Sequence, residues 1–223
     1  MLEVKDLSFS YNKNWDPFFE GLNFSVNKWE ILAIFGRSGS GKTSLLQIIA
    51  SLIKPRSGNI LYKWNDVLNS WLTYLYKFRS EKIWFAFQDF KLLEDFTVYE
   101  NVCIPFMISN NIKDENWLNK IFHTFEINDI LDKNIKNISW WEKERVSIAK
   151  SFANKPEILL LDEPWTYLNN SLKLKVFDFI KAYSKDNIVV AVSHDDYFID
   201  YFWLDLYESN WNLKFYKNWL NVS

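Results

Sequence analysis

The stretch "EILAIFGRSGSGKTSLLQIIASLI", Glu30 to Ile53, constrains the fold more than any other part of the chain. A short apolar run stops at Gly36, as a buried parallel strand would, and "KTSLLQIIASLI" then repeats its apolar residues at helical spacing before Pro55. Between them "GRSGSGKT", Gly36 to Thr43, fits G-x-x-x-x-G-K-[ST]. That pattern needs a strand before it and a helix after it. Its glycines let the backbone turn so tightly that successive N–H groups point inward at phosphate oxygens, helped by the positive end of the helix. Lys42 is placed to reach the outer phosphates, and the Thr43 hydroxyl to ligate Mg²⁺.

A second strand completes the phosphate chemistry. "EILLLDEP" is an apolar run that delivers Asp162 and Glu163 to its carboxyl end, the end at which the glycine loop also lies. Asp162 is expected to hold Mg²⁺ through water and Glu163 to polarise an attacking water as general base. Around these two anchors the pattern alternates. "LEVKDLSFSY", "LNFSVN", "SGNILYK", "KIWFAFQ" and "NIVVAVSH" read as strands, residues 111–135 as a helical segment, and residues from 142 onward and 171–184 as helices. Strands alternating with helices imply a mostly parallel, doubly wound sheet with ligands at the carboxyl ends of its strands. With no repeat, low-complexity tract or linker, the expectation is one domain over residues 1–223 with a helical subdomain at about 90–155.

Composition excludes several roles. The formal net charge is −2, and no Lys/Arg run offers a local footprint for nucleic acid. The single Cys103 cannot form an internal disulfide, and "MLEVKDLSFS" is no signal peptide, so the chain reads as cytosolic. Apolar runs reach only a strand's length, so a membrane role must come through a partner.

Together these residues resemble the ATP-binding cassette family over essentially the whole chain. "FAFQDFKLLEDFTVYENV" is similar to its Q-loop region, with Gln88 as the glutamine contacting Mg²⁺ and the attacking water, and "AVSHDD" to its switch segment, with His194 near the γ-phosphate. Tyr11 falls where the family stacks a ring on adenine, and "ISWWEKERVSIAK" aligns with the signature L-S-G-G-[QE]-x-x-R through Ser139, Glu142, Arg145 and Ala149. The resemblance implies a P-loop NTPase fold of the ABC type, with an antiparallel N-terminal β region and a helical signature subdomain. It also implies ATP and Mg²⁺ bound by Tyr11, by Gly36, Arg37, Ser38, Gly39, Ser40, Gly41, Lys42, Thr43 and Ser44, and by Ser139, Trp140, Trp141 and Glu142 of a second subunit, with Thr43, Gln88 and Asp162 around the metal. Catalysis would fall to Glu163, His194 and Gln88. The implied partners are a second copy of the chain and an integral membrane permease, which puts the protein peripherally on the cytoplasmic face of the cell membrane. The Q-loop wording is most similar to the lipoprotein-release, macrolide-export and cell-division ATPases.

The chain departs from the family in one consistent direction. It has Trp29, Trp64, Trp84, Trp140 and Trp141 where the family has glycine, and it holds only 5 glycines against 12 tryptophans. The two together come close to the roughly 16 glycines that an average share of about 7% would give. The hypothesis is that UGA codons read as glycine in the source were translated here as tryptophan; Trp165, Trp203, Trp211 and Trp219 stand in turn-like contexts and are further candidates. The competing account is a genuine pseudo-ATPase scaffold whose indoles keep the ATP sandwich open, and a third is a soluble cassette ATPase in cofactor assembly or translation. A separate departure is Asn169 where the D-loop aspartate is expected.

Overall fold

A computed structural model describes residues 1–12, 16–109, 111–210 and 213–218. Among these residues ten strands form two sheets. β1 (Leu2–Phe9), β2 (Phe19–Val26), β4 (Ser57–Tyr62) and β5 (Asn65–Asp66) make an antiparallel sheet in the order β2-β1-β4-β5. The second sheet runs β6 (Ile83–Ala86), β7 (Ile158–Asp162), β8 (Ile188–Val192), β3 (Ile31–Gly36), β10 (Leu213–Lys217), β9 (Asp205–Asn210). Its first four strands are parallel, and β10 and β9 add an antiparallel edge. The fold is thus the P-loop NTPase architecture expected from the sequence.

β7 and β8 are buried at every position, which is why they read as unbroken apolar runs. Alternate residues of β3, β7 and β8 serve two cores. Leu32, Ile34, Leu160 and Val190 face the antiparallel sheet, with α1 (Lys42–Ile49) packed in the same layer. Ala33, Leu159, Leu161 and Val189 face the helices α3 (Val98–Ser109), α4 (Glu115–Thr124), α5 (Trp140–Ala153), α6 (Asn170–Ser184) and α7 (Asp196–Phe202). A polar knot joins the two sheets at the far end from the P-loop: Glu157, just before β7, accepts from Tyr62 Oη and Lys63 Nζ, each at 2.5 Å, and pairs with Lys82 at 2.9 Å.

Several boundaries differ from the sequence expectation, each for a local reason. The segment 111–135 is helical only over α4, which Asp114 caps by accepting the Trp117 N–H at 3.0 Å, and two short 3₁₀ turns follow. α5 starts at Trp140 and not at 142, because Ser139 is its N-cap. α2 (Leu72–Lys77), α3 and α7 go beyond the helices the sequence pattern predicts; α3 is apolar nearly all round and carries Pro105 inside it, so it shows no amphipathic period. No helix among the described residues is long and apolar enough to cross a membrane.

Candidate functional site

The loop between β3 and α1 takes up the conformation its glycines allow. Gly39 and Gly41 have φ of +77° and +92°, and a Cβ on Gly41 would come within 3.0 Å of Phe18 Cβ. Lys42 folds back over the loop, its ammonium donating to Gly36 O at 2.9 Å and Arg37 O at 3.1 Å. Burial lowers the Lys42 pKa, against the pull of Glu163 and Asp162. Ser40 Oγ is buried with no protein partner, a polar group in a cradle built for an anion.

The acidic side comes from β7. Asp162 accepts the Thr43 hydroxyl at 2.7 Å, and its burial raises its pKa while that hydrogen bond and Lys42 oppose the shift. Glu163 sits in left-handed backbone at φ 51°, its N–H directed to Val192 O at 3.3 Å. Its Oε1 lies 2.9 Å from His194 Nε2 at the end of β8. Burial pushes the Glu163 pKa up, with His194 the first influence holding it down. A cavity of about 420 Å³ joins these groups, lined by Tyr11, Phe18, the loop from Ser38 to Ser44, Gln88, Asp162, Glu163 and His194. This is within the range of small-molecule sites. Gly36 and Arg37 lie beneath it as carbonyl acceptors for Lys42. Tyr11 Oη is 2.7 Å from Ser44 Oγ, and its ring meets Phe18 edge-on at 5.6 Å. Phe18 adds to the residues the sequence points to, and an aromatic shortly after Tyr11 is the signal for it.

Ser139, Trp140, Trp141 and Glu142 do not line that cavity. They start α5. Ser139 Oγ accepts the Glu142 N–H at 3.3 Å, and Glu142 Oε2 accepts from Ser139 N–H at 2.7 Å and Oγ at 2.6 Å, a complete capping box. Those bonds lower the Glu142 pKa. Trp140 and Trp141 stand exposed on the first turn, their rings against Phe90 at 4.6 Å and Tyr167 at 6.0 and 6.4 Å. Asn169 is the N-cap of α6, accepting the Leu172 N–H at 2.9 Å, a task an aspartate would also perform.

The tryptophans divide by geometry. Trp29 (φ 76°) is in a turn closed by Glu30 N–H to Asn27 O at 3.3 Å, at the position where a type II turn takes glycine. Trp64 (φ 69°) follows Lys63 (φ 48°) in the two-residue connection of β4 and β5, and positive φ at both positions is the type I′ hairpin that favours glycine second. Trp203 (φ 53°) ends α7 in left-handed conformation, the usual seat of a C-terminal glycine. Trp84 has no such geometry; it is an ordinary strand residue paired with Leu159. Trp165 is a correction to the list of candidates. It is 2% exposed and stacks on Phe198 at 4.7 Å, so its indole is part of the core. Trp117 is also packed, its Nε1–H donating to Phe152 O at 2.9 Å. Trp211 and Trp219 lie outside the described residues.

Residues 19–166 match the family model described as ABC transporter. The chain belongs to the ABC transporter family, as one of its ATP-binding ATPase subunits. Among its relatives it is 32% identical over 200 residues to the ABC transporter ATP-binding protein YxdL of Bacillus subtilis, covering 87% of this chain and 78% of that one. It is 35% identical over 199 residues to the lipoprotein-releasing system ATP-binding protein LolD of Ehrlichia canis, covering 85% and 86%. The fold matches the dimeric cassette MJ0796 in a post-hydrolysis state bound to ADP and Pi with a TM-score of 0.81 at 26% identity, covering 90% of this chain and 91% of that one.

Proposed function

We propose that two copies of this chain hold two ATP molecules between them, that Glu163 takes the proton of the attacking water, and that closure and hydrolysis drive a membrane permease from the cytoplasmic face. The observation that carries this is the pairing of Thr43 with Asp162 at 2.7 Å and of Glu163 with His194 at 2.9 Å on the walls of the P-loop cavity. The Ser40 hydroxyl, the loop N–H groups and Lys42 bind the phosphates, and Tyr11 with Phe18 walls the base. Thr43, Asp162 and Gln88 would hold Mg²⁺, whose charge neutralises the transferring phosphate. His194 orients the Glu163 carboxylate, and Gln88 positions the water beside it.

The trans half of the site is the start of α5. A helix N-terminus presents bare N–H groups to an anion. With glycine at 140 and 141 those amides and Ser139 can approach the partner's γ-phosphate within the roughly 2.7–3.2 Å of a hydrogen bond. Two exposed indoles there block the approach. Hydrolysis is therefore assigned to the chain carrying glycine at both positions, and the scaffold reading to the chain carrying tryptophan. Relatives named for lipoprotein release favour a permease of that kind as partner. The test is ATP turnover by W140G/W141G with and without Glu163→Gln. Turnover that Glu163→Gln abolishes while ATP still binds supports the ATPase; an inert W140G/W141G chain that binds ATP refutes it.

A further inference from the structure

Glu144, on α5, is a carboxylate that the catalytic scheme leaves unused, yet it is 1% exposed. Its Oε1 accepts the Tyr167 N–H at 3.1 Å, and its Oε2 is buried without a hydrogen-bond partner. Carboxylates are rarely buried so fully without paired charge. Tyr167 belongs to the turn-rich link from Glu163 to the N-cap Asn169. Within that link Thr166 Oγ1 donates to Glu163 O at 2.8 Å and Leu168 N–H to Trp165 O at 3.2 Å, so the link is a stiff unit whose first residue is Glu163. Among the described residues, the one polar bond between α5 and this unit is that from the Tyr167 N–H to Glu144 Oε1.

We propose that Glu144 is the positioning residue through which the signature helix sets the place of Glu163, by way of its bond to the Tyr167 N–H. The proposal rests on the ATPase reading above. Ser139, the N-cap of α5, faces the partner's nucleotide, whereas Glu163 serves the nucleotide of its own chain. A shift of α5 on trans contact therefore reaches Tyr167 through Glu144, and Tyr167 draws on the segment anchored at Glu163. In this way the two ATP sites of a dimer are mechanically linked inside each subunit.

The charges around Glu144 suit such a link. From α6, Lys173 is the cation whose field reaches it, and Lys173 is itself paired with Asp195 of the α7 N-cap at 2.9 Å. Arg145, next on α5, turns toward Glu126 beyond α4 at 3.6 Å, Glu100 of α3 is bonded to Thr97, and Glu163 faces His194. Burial, opposed by the Tyr167 N–H, pushes the Glu144 pKa up to about 7. A hydrogen bond to the ionised form is the stronger one, so the link tightens as pH rises through that value.

Two measurements test this, on Glu144→Gln, which keeps an acceptor for Tyr167, and Glu144→Met, which does not. The first is amide hydrogen exchange of Tyr167 in the nucleotide-free chain. Losing a bond to a charged acceptor is expected to speed exchange by about 10-fold or more in E144M, while E144Q stays near the parent. The second is turnover in the W140G/W141G background, where E144M is expected to lower kcat about 10-fold with KM for ATP little changed. E144Q is expected to restore kcat and to flatten its rise between about pH 6 and 8. The proposal falls if E144M leaves Tyr167 exchange and kcat unchanged, if kcat, KM and melting temperature move together in both variants, or if E144Q behaves as E144M. A W140G/W141G parent that never turns over ATP sinks the ATPase reading and the positioning role with it. An active parent with unchanged exchange in E144M sinks the Glu144 link alone.

Discussion

Replacing Trp29, Trp64 and Trp203 together by glycine is expected to raise the melting temperature of the chain. All three hold positive φ, at 76°, 69° and 53°, in backbone settings that glycine enters freely. A bulky residue forced into that region costs on the order of 1–3 kcal/mol. Against this, glycine loses roughly 0.5–1 kcal/mol more backbone entropy on folding. The indoles at 64 and 203 are 78% and 82% exposed, so little burial is lost with them, and a net gain of about 1 kcal/mol at each follows. Trp29 is 53% exposed and gives back most of its gain as lost contact. The sum is about 2 kcal/mol, or roughly 4–8 °C for a chain of this length. Differential scanning calorimetry on the triple variant reads it directly. The control is Trp165→Gly: removing a core indole stacked at 4.7 Å on Phe198 is expected to cost about 3–5 kcal/mol. The reasoning is refuted if the triple variant melts at or below the parent, or if Trp165→Gly melts above it.

Three further outcomes are expected. In the source DNA, codons 29, 64, 84, 140 and 141, and 203 with them, should be UGA while 117 and 165 should be UGG, and sequencing the gene checks this; UGG throughout would leave the indoles genuine and favour the scaffold reading. Asn169→Ala should lower stability by about 1 kcal/mol in denaturant titration through loss of the α6 cap, while Asn169→Asp should be near neutral. Burial opposes ionisation of Glu157, but the hydrogen bonds from Lys63, Tyr62 and Lys82 outweigh it and hold its pKa down at about 2. A depressed folded-state value contributes stability that is complete above the unfolded pKa of 4.5 and lost as pH falls toward 2. Glu157→Gln should therefore be less stable than the parent at pH 7, by about 1–3 kcal/mol, with the gap closing in acid; a gap that persists unchanged to the acid limit would contradict the sign.

Much of this molecule was legible because its chemistry is local in sequence. The P-loop and the Asp162–Glu163 pair each sit at the end of an apolar strand, and parallel strands bring such ends together whatever the rest of the chain does. Gln88 and His194 were placed by family register, and both line the same cavity. What escaped was set by tertiary context. α3 carries Pro105 and almost no polar face, so neither propensity nor period announced a helix. The start of α5 was readable, since Ser139 and Glu142 have the capping-box spacing, but two tryptophans in the first turn drew the boundary inward. Trp165 and Trp203 look alike in sequence, each in a turn-like setting, and differ only in what surrounds them. Nothing in the sequence sets Glu144 apart from the other charges of α5; its burial and its bond to the Tyr167 N–H are tertiary.

The capping box at the head of α5 has a consequence for how such proteins drift. Ser139 and Glu142 hold each other through three hydrogen bonds that need no nucleotide, so a lineage that abandons ATP turnover still loses helix stability, about 1 kcal/mol, on changing the serine. Selection for folding alone will keep these two letters long after selection for catalysis has lapsed. Among the described residues Gln88 and His194 show no comparable structural bonds, His194 being half exposed with Glu163 as its ion-pair partner. If they serve catalysis as proposed, they would erode first in a degenerating copy, which would make them the better clock of lost activity and Ser139 a poor one.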